Sequence, residues 1–230
     1  MQISGKVAIV TGSSSGFGKA LAIRLGAKGA KLVLGDIDVK NGQAYADALD
    51  KQYPGKVVFA RCDVSRKEDV KSLFELAKSK FGSIDIVINN AGIPETSIFH
   101  EDATDAWEKV IDIDLTAVIY GTRLALTEMI AAGKGGVIVN TASLAGLVPV
   151  YFQPVYAAAK AGVVNFTRSL VRFGRTHNIH VNAVCPGFSP TGILAKGEKL
   201  HGEKVFRDTT QALVPVETVI DAFVMAIEEG

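Results

Sequence analysis

Six short runs of apolar, mainly β-branched residues punctuate the chain: KVAIV (6–10), KLVL (31–34), VVFA (57–60), IDIVI (84–88), GVIVN (136–140) and IHVNAV (179–184). Nearly all are continuously apolar rather than alternating, the pattern of strands covered on both faces of a parallel sheet. Stretches of helical periodicity lie between them, among them 17–29, 68–82, the stretch around 103–132 and 154–174. Strand and helix in alternation predict α/β architecture, one doubly wound Rossmann-type domain over 1–230 with right-handed crossovers and helices on both faces of the sheet. One long loop-like region, at about 188–215, is expected to be a substrate flap, because long loops in compact domains usually bind or cover ligands.

The bulk numbers narrow the partners. A net charge of +1 gives no electrostatic footprint for nucleic acid or an anionic membrane. The apolar runs read as too short to span a bilayer. The N-terminal MQISGKVAIVTG has neither a long apolar core nor a small-residue cleavage site, so no signal peptide is expected. Cys62 and Cys185 lie far apart and read as reduced thiols, which suits a cytoplasmic location. His177 and His180 have no acidic or thiol companions, so no metal site is expected.

Chemistry enters with TGSSSGFGKA, which leads directly out of the first strand. Gly12, Gly16 and Gly18 stand between a strand and a helix, the setting of a phosphate-cradling turn, although their G-x-x-x-G-x-G spacing differs from the commoner G-x-G-x-x-G. Asp36 ends the second strand 18 positions after Gly18, close to the roughly 20 expected of a ribose-binding acid. A carboxylate there accepts from ribose hydroxyls and repels a 2′-phosphate. Neither Ile37, Asp38 and Val39 nor Ser15 supplies a base to hold one, so NAD is favoured over NADP. The alternative is that Asp36 only caps the following turn.

In QPVYAAAKAG, Pro154 suits a first helical turn, and Tyr156 and Lys160 fall one turn apart on one face. Alone, such a pair is a solvated surface contact. Its company changes that: Ser143 follows the strand GVIVN, at the edge where ligands meet open α/β sheets.

Taken in order, TGSSSGFG, NNAG (89–92), a serine closing a strand, Tyr-x-x-x-Lys and PG resemble the NAD-linked branch of the short-chain dehydrogenase/reductase family, from about residue 5 to 192. The resemblance implies Tyr156 as general acid/base, Lys160 as its activator and Ser143 as the hydroxyl that orients the substrate oxygen. For the cofactor it implies Gly12, Ser14, Gly16, Phe17 and Gly18 at the phosphates, and Asp36 and Ile37 at the ribose. Asp63 and Val64 would meet adenine, and Asn89, Asn90, Ala91 and Gly92 would line the middle. Pro186, Gly187 and Thr191 fall on the nicotinamide side, with Tyr156 and Lys160 themselves. The chemistry agrees: a free tyrosine, pKa about 10, is a poor base at neutral pH. Bringing it near 7 takes roughly 4 kcal/mol, which a cation at about 4 Å supplies at an effective dielectric near 20.

Two departures stand out. The family often places a catalytic asparagine where VIDIDLTAV has Asp114. There it acts through its backbone carbonyl, which an aspartate keeps, so Asp114 is expected in the catalytic set, paired with Lys160 through solvent. The family also usually continues past the last helix into one more strand, which helps form a subunit interface. The sequence stops at AFVMAIEEG. Six or seven strands are therefore expected, with a homodimer through the helices around 103–132 and 154–174, a tetramer being the alternative.

Leu144, Leu147, Val148, Val150, Tyr151 and Phe152, with Ile193 and Leu194 opposite, favour an apolar or lipid-like alcohol. The likeness is greatest over 142–160, 164–170 and 185–194, to members that oxidise a secondary alcohol on a fatty-acid-derived chain; there the match of Gln153 contacts the reacting hydroxyl. Ser143, Gln153 and Tyr156 are thus the expected substrate contacts. The competing readings are a non-catalytic NAD-binding sensor or scaffold and an NADH-linked reductase of a polyol or steroid.

Overall fold

A computed structural model describes residues 1–192 and 213–229. Its six strands are β1 (Val7–Thr11), β2 (Lys31–Asp36), β3 (Val57–Arg61), β4 (Ile86–Asn89), β5 (Gly136–Thr141) and β6 (Ile179–Val184). The helices are α1 (Gly16–Ala27), α2 (Val39–Gln52), α3 (Lys67–Phe81), α4 (Ala106–Ile111), α5 (Ala117–Ala132), α6 (Pro154–Ser169), α7 (Val171–His177) and α8 (Val216–Glu228). The strands pair in the order β3-β2-β1-β4-β5-β6, all parallel.

The continuous apolar runs have a direct cause. Along β1, Ala8 and Val10 point into one core with Leu21 and Leu25 of α1 and Phe223 of α8. Val7 and Ile9 point into the other, with Leu73 and Phe74 of α3 and Met129 of α5. Side chains alternate between faces along a strand, so a sheet covered twice needs apolar residues at every position.

Chain order reverses across β1 and β4, which are neighbours although two strands and three helices separate them in sequence. The crevice beyond the carboxyl ends of such a pair is where open α/β sheets bind ligands. The turns that follow β1, β2, β4 and β5 all open onto it.

The stretch around 103–132 is one helical run with a π turn, Asp112–Thr116, between α4 and α5. By length and composition Ala106–Ala132, 27 residues, is apolar enough to cross a bilayer, which corrects the expectation that every apolar run is too short. Here that apolarity serves packing: Ala125, Leu126 and Met129 are buried beside α3 and the sheet. Of the expected flap, the start and the end are described and lie together, with the Val214 N–H bonded to the Phe188 carbonyl at 2.7 Å. Residues 193–212, with Ile193 and Leu194, lie outside the described residues.

Candidate active site

The glycines after β1 bring chain segments into contact. Gly12 and Gly16 have φ of +65° and +52°, a region costly for other residues. At Gly18 a Cβ would stand 2.1 Å from the Gly12 carbonyl oxygen, so only glycine lets α1 start this close to its own turn. Thr11 ties the turn to β4: its Oγ1 accepts from the N–H groups of Asn90 (3.0 Å) and Ala91 (3.2 Å), while Asn90 Nδ2 donates to the Thr11 carbonyl at 3.0 Å.

Asp36 stands at the end of β2 and holds that turn from the other side. Its Oδ2 accepts from the Ser14 N–H at 2.8 Å and its Oδ1 from the Asp38 N–H at 2.9 Å. The expected capping of the turn is therefore realised. The carboxylate orders the turn, and each oxygen keeps a lone pair for a further donor.

A cavity of about 560 Å³ runs from this turn to α6. The arm beside the turn is lined by Gly12, Gly16, Phe17, Asp36 and Ile37, then by Asp63, Val64, Asn90, Ala91 and Gly92. Pro186, Gly187 and Thr191 line its far side. Three expected residues are placed elsewhere. Ser14 turns away and contributes its N–H to Asp36, with Ser15 lining the cavity in its stead. Gly18 packs under Gly12. Asn89 is the clearest correction: its side chain is buried behind the sheet and donates to Asn140 Oδ1 (2.8 Å) and Thr122 Oγ1 (3.1 Å), because the strand's alternation turns it opposite to Asn90.

Ser143, Tyr156 and Lys160 meet at the other arm, beside Gln153. Ser143 follows β5 and its Oγ accepts from the Ala145 N–H at 3.1 Å. Gly146, three residues on, lies so close to the Lys160 backbone that a Cβ would be 2.6 Å from its carbonyl, and this contact fixes the serine turn against α6. Lys160 is buried; its Nζ donates to the Thr141 carbonyl at 3.0 Å and lies 5.5 Å from the Tyr156 ring centroid. The Tyr156–Lys160 pair is thus no solvated surface contact. Of the apolar residues expected here, Leu144, Val148, Val150, Tyr151 and Phe152 line the cavity, whereas Leu147 is half exposed and does not.

Asp114 has no exposed surface. Its Oδ1 accepts from the Ile93 N–H at 2.8 Å and its Oδ2 lies 3.6 Å from Lys160 Nζ. That separation leaves no room for water between them, so the expected solvent-mediated pairing is a direct one. Burial pushes the Asp114 carboxyl above its usual range, against the pull of Lys160 and the Ile93 N–H. Tyr156 is half-buried as a residue, with its phenol end enclosed. The net push on its pKa is upward from the ordinary tyrosine value. Burial raises it, Lys160 lowers it, Asp114 raises it again, and contact with Ser143 lowers it slightly.

Sequence reasoning missed Glu95. It is buried, and its Oε2 accepts the Tyr156 N–H at 2.9 Å. Only a lone acid in the otherwise uncharged segment after NNAG marked it.

The pattern of one family, described as short chain dehydrogenase, matches residues 6–200. The chain belongs to that family. It is 43% identical over 204 residues to human 15-hydroxyprostaglandin dehydrogenase (NAD+), covering 86% of this chain and 74% of that protein. It is 41% identical over 191 residues to cis-4-hydroxycyclohexanecarboxylate dehydrogenase of Sinomonas cyclohexanicum, covering 83% and 76%. In three dimensions it superposes on a short chain dehydrogenase/reductase from Burkholderia phymatum in complex with NAD. There the TM-score is 0.81 at 31% identity, covering 100% of this chain and 82% of that one.

Proposed function

We propose that this protein is an NAD-dependent dehydrogenase/reductase of a secondary alcohol and its ketone. One observation carries the reading: Ser143, Tyr156 and Lys160 converge on the same cavity that the glycine turn and Asp36 open at its other end. The residues present fit the dinucleotide. Gly12, Gly16 and Gly18 hold a turn too tight for side chains, where backbone N–H groups face phosphate, and Asp36 offers acceptor oxygens for a ribose with no basic residue at positions 37–39. The NAD linkage of the relatives supports the same choice.

Bound NAD supplies a hydride acceptor for alcohol oxidation, and NADH a donor for the reverse. Everything else falls to the chain. Ser143 orients the substrate oxygen. Tyr156 takes the hydroxyl proton onto its Oη in oxidation and gives it back in reduction. Lys160, anchored on the Thr141 carbonyl, sets the field at that oxygen. Leu144, Val148, Val150 and Phe152 support an apolar, lipid-like substrate, and Gln153, buried at the cavity wall, supports a polar anchor for it. Ile119 and Ile130, exposed on α5, support a homodimer through that helix.

Following NADH absorbance across a panel from short alcohols to steroids and hydroxy fatty acids, with Tyr156→Phe in parallel, tests the reading. Turnover lost in the variant supports it. NAD binding without turnover anywhere in the panel replaces it with a sensor.

A further inference from the structure

Asp114 brings a carboxylate where it opposes its neighbour's effect. It sits in the π turn with no exposed surface, and among the described residues its Oδ2 has no hydrogen-bond partner and faces Lys160 Nζ at 3.6 Å. Its Oδ1 is pinned by the Ile93 N–H, and Gly92 packs against it so closely that a Cβ there would be 3.2 Å away. The carboxylate cannot turn aside from the lysine. Among the described residues four groups surround Tyr156: Lys160 from its own helix, Asp114 from the π turn, Ser143 from the end of β5, and Glu95, which bonds its backbone N–H rather than its phenol.

A buried ammonium and a buried carboxylate at this distance offset each other's charge, so the ion pair as a whole is neutral. An asparagine here would instead leave Lys160 as an uncompensated cation within reach of the phenol. We propose that Asp114 is a positioning residue that cancels the charge of Lys160, so that Tyr156 remains a phenol to a more alkaline pH than lysine alone would allow. The consequence rests on the function proposed above. A phenol is the form that donates a proton to a carbonyl oxygen, so the site is poised for reduction through neutral pH and gains in oxidation as pH rises.

The measurement needs neither cofactor nor substrate. Tyrosinate absorbance of the full chain is titrated, and the curve of Tyr156→Phe subtracted to leave Tyr156. The wild-type midpoint is expected at or above about 10, the ordinary tyrosine value. In Asp114→Asn, with Asp114→Asn/Tyr156→Phe as its reference, the midpoint should fall by about one to three units, as an opposite charge at about 4–6 Å produces. A wild-type midpoint below about 8, readable even if the asparagine variant does not fold, would overturn the proposal. So would a midpoint in Asp114→Asn that stays put or rises. Turnover assays stand apart: activity absent with the shift present removes the function and leaves the charge pairing intact.

Discussion

Glu95 caps a helix from 61 residues away: its Oε2 accepts the Tyr156 N–H at 2.9 Å, inside the first turn of α6. The N-cap residue, Gln153, provides no side-chain cap, and Pro154 has no N–H to satisfy. The same loop gives its Ile93 N–H to Asp114. One short segment after β4 therefore positions the tyrosine's helix and the carboxylate that faces Lys160, which couples the wall of the cofactor arm to the reacting end.

Removing that cap should be costly and discriminating. Glu95→Ala leaves a buried N–H unpaired and should lose about 1–3 kcal/mol in urea denaturation, whereas Glu95→Gln keeps an acceptor. The two also separate by pH. Burial raises the Glu95 pKa, so the folded state holds its proton to higher pH than the unfolded chain does. The stability tied to that proton is full below the unfolded value, about 4.3, and is lost as pH rises through the folded value. The advantage of Glu95→Gln over wild type should grow between about pH 4 and pH 7. A constant difference would mean that Glu95 titrates like a free glutamate.

Much of this was legible in the sequence because it is encoded locally. All six strands follow from their apolar runs, Asp36 and Ser143 follow from the ends of strands, and Tyr156 and Lys160 from their spacing of one helical turn. α2 carries only a thin buried stripe, Gly42, Ala46 and Leu49, so few apolar letters mark it although they keep helical spacing. What stayed hidden depends on where side chains point. Asn89 and Asn90 are adjacent letters on opposite faces. Asp114 was identifiable, but its direct approach to Lys160 depends on a π turn that no spacing announces. Glu95 has an ordinary letter in an ordinary loop, and its partner lies 61 residues on.

Asp36 should govern cofactor choice. Asp36→Ala removes the acceptor proposed for the ribose and takes the Asp36 carboxylate from the Ser14 and Asp38 N–H groups. NAD affinity by calorimetry should fall about tenfold or more, a loss of about 1.4 kcal/mol or greater. NADP, no longer repelled by the carboxylate, should lose less or gain. Equal losses for both would show that Asp36 acts only through the turn.

Gly18 makes a sharper test of the turn itself. In Gly18→Ala the new Cβ would stand 2.1 Å from the Gly12 carbonyl oxygen and 2.7 Å from Asn90 Nδ2. Backbone must move, so the cost should reach the upper part of the roughly 1–3 kcal/mol typical of overpacking or exceed it. Dinucleotide binding should weaken with it. At Gly55, exposed with nothing within 4 Å, alanine meets no such clash and should leave binding unchanged although its φ of +72° costs stability. Comparing melting temperature and NADH fluorescence titration for the two separates close approach from conformational strain.

Cys62 lines the cavity, and a thiol at a cofactor site invites the thought of a reactive one. The surroundings say otherwise. Burial, reinforced by Asp69, Asp63 and Asp36, pushes its pKa up to about 12 against the weaker pull of Arg61, and burial raises Cys185 as well. At pH 8 only about one Cys62 in ten thousand is thiolate, against about a quarter of a thiol with the ordinary value of 8.5. The greater nucleophilicity of a more basic thiolate recovers part of that, leaving alkylation slower by about a hundredfold. Iodoacetamide labelling followed by mass spectrometry should leave Cys62 unmodified on the timescale that consumes a free thiol, and urea should restore its reactivity. Rapid labelling of the native chain would require a thiolate that three neighbouring carboxylates disfavour, and would mean that the end of β3 opens in solution.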